Sequence, residues 1–155
     1  MIYNIAIIEE KRKNNYNVFL KYNLNIHIFN SPFSFIRYNN ILDFNLIITD
    51  IIMPEMTGIE FLKRIIERNE IYKKIPILFF SELSKDKIIQ KRLNKILSSF
   101  NINFLPKPTE EKILIAKTMN IINNSKNNKY NQQTYIFSKI YAEEKIWKFS
   151  VKETL

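Results

Sequence analysis

The sequence predicts an α/β protein built on a parallel β-sheet with helices on both faces. Three observations carry this reading. Short apolar runs alternate with stretches of helical period along most of the chain, and the runs are apolar at consecutive positions, as strands buried on both faces require. The chain has 155 residues, 46% of them hydrophobic and 14% aromatic, enough to fill one core with a tail left over. Its single glycine, Gly58, follows an aspartate in the run DIIMPEMTG, Asp50 to Gly58. Average glycine usage is about 7%, so the chain is expected to need a backbone position there that no side chain tolerates.

Ile2 to Ile8 reads as the first strand and Lys11 to Tyr22 as the first helix. A short strand at Ile26 to Phe29 precedes a weak helix from Phe33 to Leu42, opened by Ser31 as N-cap and Pro32 at the first helical position. Leu46 to Thr49 is the third strand. From Gly58 to Arg68, residues Ile59, Leu62, Ile65 and Ile66 share one helical face. Ile75 to Phe80 is the fourth strand. Its helix has Ser84 as cap and Ile88, Ile89, Leu93, Ile96 and Leu97 as buried stripe. Ile102 to Leu105 is the fifth strand, and Thr109 caps the fifth helix, whose first turn carries Glu110 and Glu111 where the helix dipole favours them. The predicted domain spans residues 1–122. Residues 123–133, with no periodicity, read as a linker, and residues 134–155 as an extension. Within that extension, Lys145 to Lys152 alternates like a strand and Tyr135 to Tyr141 reads as either its hairpin partner or a helical turn.

The absence of cysteine excludes a disulfide framework and a thiolate metal site and suits a reducing compartment. No apolar run approaches the roughly 18 residues of a membrane span, and the opening MIYNIAII is too short for a signal core, so a soluble cytoplasmic protein without membrane insertion is expected. The net charge of +9 comes from lysines scattered through every segment, without the basic stripe that would point to nucleic acid. His27, the single histidine, lies in the second strand without a second ligand beside it and reads as structural.

The strand ends are the informative places. The first stops at Glu9 and Glu10, the third at Asp50, the fourth at Ser81 and the fifth at Lys107. In an open parallel sheet, ligands bind outside the carboxyl ends of the strands. Three carboxylates gathered there would repel one another by roughly 4 kcal/mol per pair at about 4 Å and an effective dielectric of 20. Lys107 relieves part of that repulsion, and a hard divalent ion, Mg²⁺ before others, suits the rest. Carboxylate, hydroxyl, lysine and Mg²⁺ together are equipment for capturing a phosphoryl group on Asp50.

These residues resemble the receiver domain of two-component response regulators, in the flavodoxin-like fold of the chemotaxis-type single-domain regulators, over about residues 2–122. The resemblance rests on DIIMPEMTG after LIIT, with Met-Pro-x-Met-x-Gly at the expected spacing, on the acid pair after the first strand, on the hydroxyl after the fourth, and on Lys-Pro in FLPKP. It implies a doubly wound sheet of order 2-1-3-4-5 with five helices and a phosphoacceptor at Asp50. It also implies Mg²⁺ held by Glu9, Glu10, Asp50 and the Ile52 carbonyl, and phosphoryl contacts from Ser81 and Lys107. Phe104 takes the place of the aromatic switch residue, Pro54, Gly58 and Pro108 are structural, and the Lys107–Pro108 bond is cis.

By the same resemblance, the chain is a signalling switch rather than a substrate-turning enzyme. A sensor histidine kinase supplies the phosphoryl group, and a downstream protein reads the face of the fourth helix, fifth strand and fifth helix. Lys85, Lys87, Lys91, Arg92 and Lys95 favour an acidic partner there. Apart from the resemblance, Trp147 and its neighbours in the extension read either as an edge for self-association into a homodimer or as a flap over the domain's own surface. Two positions depart from the family pattern: Glu10 stands where aspartate is usual, and Glu82 where a small residue is usual. They leave open the alternative of a receiver-like scaffold that binds partners without phosphorylation.

Overall fold

The computed structural model describes residues 1–10, 16–38, 44–82, 91 and 103–127. Five parallel strands form one sheet: β1 (Tyr3–Ile8), β2 (Leu24–Phe29), β3 (Phe44–Thr49), β4 (Ile77–Glu82) and β5 (Asn103–Lys107), in the order β2-β1-β3-β4-β5. Its helices are α1 (Pro32–Arg37), α2 (Gly58–Arg68) and α3 (Glu111–Asn127), with 3-10 turns at Asn17–Tyr22 and Glu70–Lys74. The predicted fourth helix and the extension with its strand lie outside the described residues, except that Lys91 is helical.

Alternation along the strands sorts the core into two layers. Ala6, Ile8, Ile47, Ile77 and Phe79 face α1 and α2, where Phe35, Ile59, Phe61, Leu62 and Ile65 meet them. Ile5, Ile7, Leu46, Ile48, Leu78 and Phe80 face the other way, against Phe19, Leu114, Ile115, Ile121 and Ile122. Neighbouring strands side by side and helices on both faces make the doubly wound arrangement that consecutive apolar positions predict. His27 packs its ring edge-on to Phe44 at 5.5 Å.

Local chemistry explains where the elements begin. Ser31 is extended, its hydroxyl accepts from the Ser34 amide, and its own amide donates back to the Ser34 hydroxyl, with Pro32 next in line. Thr57 and Glu60 form the same reciprocal box at the start of α2. Pro106 sits in β5, an edge strand, where a missing N–H is tolerated.

Each strand is offset by one or two residues at one or both ends from the sequence reading, so that Ser81 and Lys107 fall within β4 and β5, and the helices differ at four points. The described part of the first helix is a 3-10 turn: Asn17, Val18, Phe19 and Tyr22 are middling helix formers, no side chain caps the start, and Asn23 ends it in the left-handed region with φ 58°. The second helix stops at Arg37, where Tyr38 turns extended. In α3 the Glu110 carbonyl accepts the first helical bond, from Leu114, so the cap position falls one residue after Thr109. That helix also continues through Asn127 into the expected linker. Once nucleated it gains a bond per residue, and the Ser125 hydroxyl bonds to the Ile122 carbonyl at 2.8 Å.

Candidate phosphoacceptor site

Register brings the strand ends into line. Ile8 lies beside Thr49, and Thr49 beside Phe79. One residue further, Glu9 and Asp50 emerge together at the carboxyl edge, at the point where the chain turns from winding one way to winding the other. Ser81 pairs with Pro106 and Glu82 with Lys107, so the hydroxyl and the ammonium reach the same edge from the β4–β5 pair.

Lys107 is the centre of the site. Its Nζ lies 3.2 Å from Glu9 Oε1 and 3.4 Å from Asp50 Oδ2, with 13% of its side chain exposed, and it rests 5.0 Å from the centre of the Phe80 ring. Asp50 is bonded on its other oxygen as well: Oδ1 accepts from the Ile52 amide at 3.0 Å and from the Ser81 hydroxyl. Glu9 is buried, and its Oε2 accepts from the Tyr16 hydroxyl at 2.9 Å. Burying a carboxylate is costly unless it is paired and hydrogen-bonded, and both of these are.

The Asp50 loop is held from behind by Gly58. A Cβ built there would fall impossibly close to the Asp50 carbonyl oxygen, and within 3.0 Å of Phe79 Cε1 and 3.2 Å of Ile51 Cα. No glycine has positive φ, so close approach rather than an unusual dihedral excludes a side chain. The Gly58 amide donates to the Ile51 carbonyl at 2.8 Å and closes the loop onto α2. Pro54 lies exposed within that loop, between the buried Met53 and Met56.

Asp50, Glu9, Ser81 and Lys107 therefore come together as the sequence predicts. Glu10 does not join them: it is exposed, and among the described residues no three acidic or histidine side chains converge. The expected triple carboxylate cluster is a pair sharing one lysine, because the residue after Glu9 has left the strand and turned toward solvent. Glu82 is likewise exposed. Phe104 is half-buried and leans on the α1/α2 core. The Lys107–Pro108 bond is cis. Tyr16 is the participant that sequence reading missed.

The response regulator receiver domain family model matches residues 5–119. The chain belongs to that family. It is therefore a receiver domain of the two-component response regulator type. Two-component response regulator ARR17 of Arabidopsis thaliana is 41% identical over 69 residues, 44% of this chain and 42% of that protein. Response regulator ORR5 of japonica rice, Oryza sativa, is 38% identical over 66 residues, 43% of this chain and 46% of the relative. The chain thus spans less than half the length of the curated relatives it matches. Among solved structures, a receiver domain protein from Clostridium thermocellum superposes with a TM-score of 0.60 at 20% identity, over 81% of this chain and 98% of that one. Vibrio cholerae chemotaxis protein CheY4 superposes with a TM-score of 0.60 at 19% identity, over 78% and 99%. These two likenesses concern the fold. No helix among the described residues is long and apolar enough to cross a membrane.

Proposed function

We propose that this receiver domain takes a phosphoryl group onto Asp50 from a phosphohistidine of a sensor kinase and thereby changes its affinity for a downstream protein. The observation that carries this reading is the shared ammonium: Lys107 bridges Glu9 and Asp50 while Ser81 contacts Asp50 from the other side. In the transfer, an Asp50 carboxylate oxygen forms a bond to phosphorus as the phosphorus–nitrogen bond breaks and its electron pair leaves on the imidazole. The lysine and the hydroxyl are then placed to meet the oxygens of the acyl phosphate.

Two carboxylates facing one ammonium leave a net negative charge before any phosphoryl group arrives. A second cation is needed. The donor set fits Mg²⁺, which uses hard oxygen ligands and is commonly held by one or two carboxylates with water and phosphate completing its shell. Glu9, Asp50 and the Ile52 carbonyl would hold it, with Glu10 reaching it only through a change of rotamer or through water. When bound, it would neutralise charge on the transferring phosphoryl oxygens.

Output through the fourth helix, β5 and α3 toward an acidic protein surface follows the lysine-rich stretch between Lys85 and Lys95. Phe104, half-buried against the α1/α2 core, is read as the aromatic residue that responds to a displacement of Ser81. Residues 134–155 supply the edge proposed for self-association. A coupling of about 1 to 3 kcal/mol between site and output face would alter partner affinity roughly 5- to 150-fold.

Intact-mass measurement after incubation with acetyl phosphate and Mg²⁺ tests the proposal. A gain of one phosphoryl group that Asp50→Asn abolishes is expected. An unchanged mass under saturating reagent would instead favour a receiver-like scaffold that works without phosphorylation.

A further inference from the structure

Tyr16 is buried and contributes a hydroxyl to the pocket from outside the strand ends. Its ring stands edge-on to Phe19, with centroids 5.8 Å apart and planes at 63°, and its carbonyl accepts the Phe19 amide at 3.0 Å. Ring and backbone are both held, so the hydroxyl is a donor at a defined place. Its acceptor is Glu9 Oε2, while Oε1 of the same carboxylate faces Lys107.

Glutamate at this position has one more rotatable bond than aspartate would. Immobilising that longer side chain costs conformational entropy, and a carboxylate that must meet a cation in a narrow geometry gains from being fixed beforehand. An oxygen that accepts one hydrogen bond keeps a second lone pair, so the Tyr16 bond and coordination by the same carboxylate are compatible. We infer that Tyr16 is a positioning residue of the phosphoacceptor site, whose hydroxyl fixes Glu9 in the orientation that receives a divalent cation. The inference rests on the reading of this site as a Mg²⁺-dependent phosphoacceptor.

The test is calorimetric titration of the full chain with Mg²⁺, paired with the Mg²⁺ dependence of its phosphorylation by acetyl phosphate. In Tyr16→Phe, the dissociation constant is expected to rise about 10-fold, the low end of the effect of losing a partner that orients a ligand. The rate at saturating Mg²⁺ should stay at the wild-type level, because Asp50, Ser81 and Lys107 are untouched. A role confined to packing would lower the melting temperature and leave the Mg²⁺ constant where it was, and that result overturns the inference alone. A wild-type chain that neither binds Mg²⁺ nor gains mass overturns the phosphoacceptor reading with it. If the phenylalanine variant does not fold, 4-aminophenylalanine in place of Tyr16, which keeps the six-membered ring and a para N–H donor, decides the matter. Near-wild-type Mg²⁺ affinity supports the inference, and a 10-fold loss despite the donor overturns it.

Discussion

The two faces of the sheet are filled by different chemistry. Under α1 and α2, the rings of Phe29, Phe35, Tyr38, Phe44, Phe61 and Tyr72 touch one another in a connected cluster, most of them at steep angles. On the opposite face, Tyr16 and Phe19 form the ring pair, and the remaining filling is largely isoleucine and leucine from the sheet and α3. The aromatic face clamps the loop that carries Asp50, through Ile51, Met53, Met56 and the close approach of Gly58 to Phe79. The aliphatic face supplies two of the site's polar partners: the Tyr16 hydroxyl, and Lys107 laid over Phe80. Asp50 thus sits where a tightly clamped loop meets groups delivered from the other layer. The residue that leads into a 3-10 turn, whose hydrogen bonding is poorer than that of an α-helix, supplies one of them.

Truncating one ring on each face is the strongest way to break this contrast. Phe35 is 1% exposed and meets Phe29, Phe44, Phe61 and Tyr72. Phe35→Ala should cost about 5 kcal/mol in urea denaturation, the upper end for such deletions. Phe19, equally buried, has one ring partner among the described residues, Tyr16. Phe19→Ala should cost about 3 kcal/mol, with softer aliphatic neighbours closing part of the cavity. Equal losses would mean that the ring cluster adds nothing beyond buried area, and the distinction between the faces would go.

Gly58→Ala probes the clamp. At the first position of α2, alanine would bring about 1 kcal/mol of helix propensity over glycine. Against that stands contact with the Asp50 carbonyl, a backbone atom that cannot swing away as a flexible side chain would. Overpacking of this kind costs about 1 to 3 kcal/mol, so a net loss near 1 to 2 kcal/mol is expected, together with reduced phosphoryl uptake because the displaced atom belongs to Asp50. A variant as stable as the wild type and equally phosphorylated would show that the loop has slack.

How much of this was legible in the sequence follows from the kind of interaction concerned. The sheet could be read because Ile5 to Ile8 and Leu46 to Ile48 are apolar at every position, and a strand covered on both faces leaves that trace. Gly58 was legible as a constraint, though its cause, a carbonyl rather than a dihedral, needed coordinates. Asp50, Ser81 and Lys107 were legible because strand ends in a parallel sheet share one rim. Tyr16 was not, since nothing in a linear pattern distinguishes a tyrosine that fills a core from one whose hydroxyl crosses to a carboxylate. Glu10 misled because two adjacent residues leaving a strand point apart, and sequence proximity to Glu9 does not put it in the same pocket.

The smallest effect sharpens the account of the aliphatic face. Thr118 lies on α3 between Leu114, Ile115, Ile121 and Ile122, is 0% exposed, and its Oγ1 has no hydrogen-bond partner among the described residues. A buried hydroxyl without a partner carries its desolvation cost unrelieved, about 1 to 3 kcal/mol. Valine has a lower helix propensity than many residues, but so does threonine, and both are branched at Cβ, so that contribution nearly cancels. Thr118→Val should therefore raise stability by about 1 kcal/mol, read as a higher urea midpoint with an unchanged slope. The site lies at the strand ends, so phosphoryl uptake should not change. A lower midpoint would mean that the hydroxyl is satisfied in solution, and the layer delivering Tyr16 and Lys107 would then hold a polar contact inside its apolar filling.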